Sequence, residues 1–255
     1  MRKKIDFSEH IVICGWNYQG ERIVSELLSP NQKQEVQIAI LAHGERCPLS
    51  DLRIEFIKGD PTQDQDLLRA GVRRAYSVIV LTDLTKGPNE ADAEALMVVL
   101  AIKSLNRSVH ACVQLVNSAN RSHLQRAQAD EIICLDLLGG NLAVASALNH
   151  GLSHVLSDLL TFAIGSEFYR IDGHIASQLV GKEFAEAVQT LVQRRIILLA
   201  VETDYSEELC RQLGENCLHA LPSEGRLLVI NPQSEYRIHH GDALFVIADS
   251  RPTDQ

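Results

Sequence analysis

The sequence predicts an α/β protein in which a doubly wound parallel sheet is followed by two apolar helices and then a small α+β lobe. Three observations predict it. Short β-branched runs alternate with segments of helical period through the first half of the chain. Two nearly all-apolar helical stretches then break that alternation. Beyond residue 165 the strands become short and are separated by turn residues. For 255 residues, one medium domain plus a smaller partner is the expected division. The boundaries fall at 1–8 for a basic linker, 9–136 for the parallel-sheet domain, 137–164 for the helix pair and 165–250 for the last lobe.

Residues 10–14 (HIVIC) are a β-branched run ending at Gly15, and 21–28 carry Ile23, Val24, Leu27 and Leu28 at helical spacing. The chain therefore opens as strand, turn, helix. A second strand is expected over 36–41, a third over 54–57, a helix over 63–70 and a fourth strand over 78–81. The segment 91–105 reads as a long helix with Ala95, Val98, Val99 and Ile102 on one face. A fifth strand over 109–115, a short helix closing at 123–127 and a sixth strand over 131–135 complete the unit. Strands that alternate with helices pair in parallel, with right-handed crossovers set by strand twist.

The stretches 137–148 and 152–164 are apolar on more than one face, with Leu142, Val144 and Leu148 in the first and Val155, Leu159 and Leu160 in the second. Gly151 between them can supply a left-handed turn. Helices of this kind pack against something, either a second copy of the chain or the chain's own lobes. In the last lobe, strands are expected over 167–171, 196–202, 226–230 and 243–247, with one helix near 182–192. His240-Gly241-Asp242 reads as a turn feeding the final strand.

A net charge of −9 opposes a surface that neutralises phosphate backbones, so nucleic acid is not an expected partner. No apolar run approaches the roughly 20 residues that cross a bilayer, and the first residues lack the apolar core of a secretory signal. The chain reads as soluble and cytosolic. Cys14, Cys112 and Cys134 sit in apolar runs and read as buried thiols, while Cys47, Cys210 and Cys217 complete a set without CxxC spacing.

Chemistry concentrates at the first turn. Gly15-Trp16-Asn17-Tyr18-Gln19-Gly20 follows the first strand and opens the first helix, where a dinucleotide fingerprint stands. Gly15 permits the tight turn and Gly20 permits close packing of helix on strand, so the domain is Rossmann-like. Asn17 replaces the middle glycine that lets backbone approach a pyrophosphate, although Asn tolerates positive φ. The end of the second strand, Ala42-His43-Gly44, lacks the carboxylate that normally reads ribose hydroxyls until Glu45. Gly59-Asp60 after the third strand and Thr82-Asp83 after the fourth face the same crevice. The candidate occupant is an adenine nucleotide or NAD/NADH, with an emptied or remodelled crevice as the alternative. Thr62 is expected to cap the helix after Pro61.

Taken together, HIVICGWNYQGERIVSELL, FIKGDPTQDQDLLRAGVRRAYSVIVLTD, the ADEII strand and the two apolar helices resemble the regulator-of-potassium-conductance (RCK) domains, also called TrkA-type domains. The GDPT segment with its leucine helix and Ala-Gly-Val turn is the most specific part. Leu179-Val180-Gly181-Lys182 before a helix and His240-Gly241-Asp242 before the last strand are similar to that family's C-terminal lobe. The resemblance implies a cytoplasmic gating-ring module at the inner face of the membrane. It further implies a homodimer formed through the apolar helices, assembled into a tetrameric or octameric ring that works on a potassium channel pore or a transporter membrane subunit. The channel-type gating module is the first reading, and a soluble nucleotide-binding subunit of a potassium transporter is the alternative.

The resemblance has one departure besides Asn17. Where calcium-gated members carry carboxylates, this chain has Leu81, Gln114 and Val116, which argues against calcium at that place. Asp83, Glu90, Asp92 and Glu94 read as a solvated, dipole-matched entrance to the long helix rather than a metal site. No metal ligands are assigned. The rival class is an NAD-dependent oxidoreductase, which needs a proton-transfer group over the crevice. No nucleophile elbow, Walker loop or zinc-protease helix is present, and His174, His219, His239 and His240 all fall in the last lobe. His239 and His240, if on a strand, would point to opposite faces. A binding module without catalytic residues is therefore expected.

Overall fold

The computed structural model describes residues 8–29, 36–44, 47, 49–162, 165–204, 219–221 and 225–252. Most of the basic linker, together with Glu45, Cys210 and Cys217, lies outside the described residues. The chain divides into two compact units, Met1–His150 and Gly151–Gln255, and each is described by itself.

The first unit is a six-stranded parallel sheet of β1 (Ile11–Cys14), β2 (Ile38–Ala42), β3 (Ile54–Lys58), β4 (Ser77–Val80), β5 (His110–Leu115) and β6 (Glu131–Cys134), in the order β3-β2-β1-β4-β5-β6. All five residues of β2 (IAILA) are buried, as expected of a central strand covered on both faces. Alternation along β1 sorts the packing. Val12 and Cys14 point into the core shared with α2 (Asp64–Arg69), α3 (Pro88–Leu105) and α4 (Arg121–Arg126), whereas Ile13 joins Val24 of α1 (Gly20–Leu27) on the opposite face. On α3, Ala91, Ala95, Val98, Val99 and Ile102 form the buried stripe, and Pro88 stands in its first turn. The doubly wound order predicted from the strand–helix alternation is thus present, and it reverses between β1 and β4.

The sixth strand is shorter than expected. β6 ends at Cys134, and α5 (Leu135–Leu148) begins on the next residue, so Leu135 is helical rather than extended. No residue of α5 is buried, and Leu137, Leu138, Val144 and Leu148 are exposed.

The second unit opens with α6 (Leu152–Leu159), preceded by Gly151 in the left-handed conformation at φ 92°. Its sheet is wholly antiparallel, built from β7 (Glu167–Ile171), β8 (Ile197–Asp204), β9 (His219–Leu221), β10 (Arg226–Ile230) and β11 (Ala243–Ala248) in the order β7-β11-β8-β10-β9. Helices α7 (Gly173–Ser177) and α8 (Phe184–Val192) accompany it, with Leu191, Leu198, Val201, Leu244 and Val246 in one core. A capping box starts α8: the Glu183 side chain accepts from the backbone of Glu186, whose own side chain accepts from the backbone of Glu183. The short α7 and β9 carry too few residues to show a period and were not anticipated. His239 and His240 lie in the turn before β11, so strand geometry does not set their directions.

One buried carboxylate organises this sheet. Glu202 on β8 accepts from Arg170 Nε at 2.7 Å and Nη2 at 2.9 Å, a bidentate pairing from β7. Arg226 Nε lies 2.6 Å from Glu202 Oε1, a close charge contact whose N–H is not aligned as a hydrogen bond. Burial pushes the Glu202 carboxyl upward, but the two guanidinium groups outweigh it and hold the group below its ordinary range.

Candidate functional site

The reversal of strand order between β1 and β4 opens a crevice at the carboxyl edge of the first sheet. The turn after β1 forms one wall. Gly15 stands at φ 82°, and a Cβ there would come 2.5 Å from the Leu81 carbonyl oxygen, so only glycine lets the turn lie against the chain leaving β4. Gly20 serves differently: a Cβ at that position would meet the Trp16 indole at 2.8 Å, so its absence seats the ring on the start of α1. Among the described residues, the backbone N–H groups of Trp16, Asn17 and Tyr18 meet no acceptor. They stand just ahead of α1, where free amides and the helix dipole together favour an anion.

The crevice holds a cavity of about 310 Å³. Gly15 and Trp16 line it from β1, Ala42 and His43 from β2, Pro61 from beyond β3, and Thr82 and Asp83 from beyond β4. Lys86, Glu94 and Val98 contribute from α3 and the approach to it; the sequence had placed Glu94 at the helix entrance and Val98 on its apolar face, and had not singled out Lys86. Lys86 Nζ reaches Glu94 Oε2 at 2.5 Å and lies 4.0 Å from Asp83 Oδ2, so the rim carries more negative than positive charge. The floor, at Cys14, Val80 and Ala95, is apolar.

The remaining predicted residues surround this cavity in supporting roles. Tyr18 is exposed, at 79%. Asn17 Oδ1 accepts from the Gln19 backbone at 2.9 Å, which fixes the turn, and its Nδ2 donates to the Thr82 carbonyl at 2.9 Å and to Gln114 Oε1 at 3.0 Å. Gln114 Nε2 in turn donates to Gln19 Oε1 at 2.7 Å. Gly59 and Asp60 make the turn after β3. Asp60 Oδ1 accepts from both the backbone and the hydroxyl of Thr62 at 2.8 Å, while its own N–H donates to Asp66 Oδ2 at 2.9 Å. Thr62 therefore does not cap α2; the N-cap position is Gln63, without a side-chain bond, and the Thr62 hydroxyl is held by Asp60 instead.

Charge and protonation follow from these contacts. Burial raises the Asp60 carboxyl, but the Thr62 hydrogen bonds and nearby His43, 4.0 Å from Oδ1, bring it below its ordinary value. The Thr85 hydroxyl and N–H, at 2.7 and 3.0 Å, lower Asp83 in the same way. Burial pushes the Cys14 thiol up to about 12 and the Cys112 thiol up to about 11, so neither supplies a thiolate at neutral pH.

At the acidic entrance to α3, Glu90 is exposed as read from the sequence, but Asp92 departs from that reading. Asp92 is buried, and its carboxylate accepts from the Val116 backbone at 2.8 Å, the Asn117 backbone at 3.0 Å and Asn120 Nδ2 at 2.9 Å. It satisfies the chain leaving β5. Sequence spacing could not reveal this, because the partners lie 24 to 28 residues away. The carboxylate count at Leu81, Gln114 and Val116 is unchanged by the fold: Gln114 is committed to Asn17 and Gln19, and Val116 donates to Asp92. Among the described residues, no group of three His, Cys, Asp or Glu side chains converges as a metal site would require.

A doubly wound lobe with a ligand-sized crevice at its switch point, followed by a small antiparallel lobe, defines a two-unit architecture with a Rossmann-like first unit. Residues 6–113 match the family model described as "Calcium-activated potassium channel slowpoke-like RCK domain". The calcium-gated potassium channel TvoK of Thermoplasma volcanium is 23% identical over 195 residues, covering 75% of this chain and 55% of the relative. The putative potassium channel protein YugO of Bacillus subtilis is 31% identical over 127 residues, covering 49% of this chain and 38% of the relative. The chain thus spans about half, or less, of the length of these relatives. The human SLO3 gating ring shares its fold, at a TM-score of 0.63 and 20% identity, over 94% of this chain and 44% of that one.

Proposed function

We propose that this chain is the cytosolic regulatory module of a potassium channel, and that a small ligand in the β1/β4 crevice sets the conductance of the pore. The observation that carries the reading is the crevice itself: a cavity with unpaired amides ahead of α1, in a lobe whose sequence matches channel RCK domains. An adenine nucleotide suits it, with its phosphate on the amides beside Trp16 and its ribose hydroxyls toward Asp60 and Asp83. The work is recognition rather than bond-making. A ligand moves a gate only through its different affinities for two states of the module.

The apolar, unburied faces of α5 and of α6 support association with a second copy and, beyond that, a ring beneath a pore. Among the described residues no helix is long and apolar enough to cross a membrane, so the pore belongs to another segment or another chain.

Trp16, the chain's single tryptophan, lines the crevice and makes the test direct. Purified protein is titrated with ATP, ADP, NAD and NADH while its fluorescence is followed, and potassium current through the complete channel is recorded against the same compounds. Saturable quenching and a current that changes over the same concentrations are expected. Flat responses in both would end the sensor reading.

A further inference from the structure

We infer that the crevice is built for a mononucleotide, and that Asn17 and Gln114 are the residues that exclude a dinucleotide. The inference rests on the nucleotide reading above and narrows it to one ligand class.

A dinucleotide on a doubly wound sheet needs both halves of the crevice: its second nucleoside passes from the pyrophosphate across the carboxyl ends of the strands beyond the switch point. Here that passage is bridged by side chains. Asn17 Nδ2 spans from the β1 turn to the Thr82 carbonyl at 2.9 Å and to Gln114 Oε1 at 3.0 Å, tying β1 to the ends of β4 and β5 together. Gln114 Nε2 carries the bridge back to Gln19 Oε1 at 2.7 Å, and Thr82 Oγ1 donates to the Gln114 carbonyl at 2.7 Å. Thr82 and Gln114 are buried, at 2% and 6% exposure, so a group inserted between them must either replace these partners or leave them unsatisfied.

The open volume matches one nucleotide. About 310 Å³ remains between the ends of β2 and β4 and the first turns of α3, near the lower end of the roughly 300–1,000 Å³ span of single-ligand pockets. The substitution of Asn for the middle glycine thus does more than preserve the turn. It moves a side chain with two donors and an acceptor into the place where backbone would otherwise approach a pyrophosphate, and each of its polar atoms is already used.

The probes are ADP and NAD, titrated calorimetrically against the whole chain and against two variants, Gln114→Ala and the double variant Asn17→Gly with Gln114→Ala. Thermal melting of each confirms folding. The wild-type protein is expected to bind ADP and to bind NAD about tenfold more weakly or worse, because NAD must break the bridge. Both variants are expected to narrow that ratio, chiefly by gaining NAD. Equal affinity of the wild-type protein for ADP and NAD overturns the inference and leaves the nucleotide site standing, and this arm needs no variant. Folded variants that keep the wild-type ratio overturn it as well, because the bridge then excludes nothing. Absence of binding to either compound overturns both the inference and the nucleotide reading.

Discussion

Gly15 and Leu81 approach so closely that one added carbon on the glycine would sit 2.5 Å from the leucine carbonyl oxygen. The contact joins the two strands between which the sheet reverses direction, so the crevice and the fold share it. Gly15→Ala meets two penalties: a left-handed backbone costing about 1–2 kcal/mol and overpacking of about 1–3 kcal/mol. A loss of about 2–4 kcal/mol is expected in urea denaturation followed by Trp16 fluorescence. A midpoint unchanged from the parent protein would mean that the turn can relax away from β4.

Asp92 holds the chain that leaves β5 by three hydrogen bonds to Val116, Asn117 and Asn120. Asp92→Ala leaves two backbone amides and one side-chain amide facing a cavity, and a loss of about 2–4 kcal/mol is expected. Asp92→Asn keeps the shape and one acceptor, so roughly half that loss is expected. Denaturation of the two variants side by side checks the order: equal losses would show that shape, not acceptor count, holds the loop.

Much of this was legible in the sequence, and the reasons are local. The β-branched, apolar run at 36–41 reads as a strand, and the stripe Ala95, Val98, Val99, Ile102 as one face of a helix, so the strand–helix alternation and the helix faces followed from pattern, whereas the strand order did not. Gly15 and Gly20 marked the turn because their backbone and steric needs are properties of the residue. What period does not encode is long-range polar pairing. Asp92 with Val116, Asn17 with Gln114, and Glu202 with Arg170 are separated by 24, 97 and 32 residues, and nothing in their local sequence names the partner. Thr62 shows the same limit at short range: two acceptors competed for one turn, and Asp60 won because its carboxylate reaches both the backbone and the hydroxyl of Thr62.

Stability of the first unit is expected to fall in mild acid. In the folded protein Asp60, Asp66 and Asp83 lie below their ordinary values: hydrogen bonds from Thr62 overcome burial at Asp60, the Asp60 amide and Arg69 act on Asp66, and Thr85 acts on Asp83. A carboxyl whose folded pKa is depressed contributes its full stabilisation above the unfolded value, about 3.9 for Asp, and loses it as pH drops through the folded value. Melting temperatures measured between pH 6 and 3 should therefore hold nearly level and then decline at the acid end. Asp60→Asn, which cannot ionise, should decline less steeply over the same range. A parallel decline in both proteins would place the acid-sensitive group elsewhere.

Helix α5 presents Leu138, Val144 and Leu148 at 56%, 63% and 78% exposure, and none of its fourteen residues is buried. A large apolar side chain moved from water into a packed contact contributes about 1.5–3 kcal/mol, so three of them from each of two chains are enough to hold a dimer together. Charge placed on that face removes the gain and adds repulsion between copies without touching either core. Val144→Glu with Leu148→Glu is therefore expected to lower the mass seen by light scattering from that of an assembly to that of one 28.3 kDa chain, while the urea transition reported by Trp16 stays in place. A wild-type protein that already runs as a single chain at high concentration would remove this face from the assembly. A variant that keeps the wild-type mass would shift the interface to other residues.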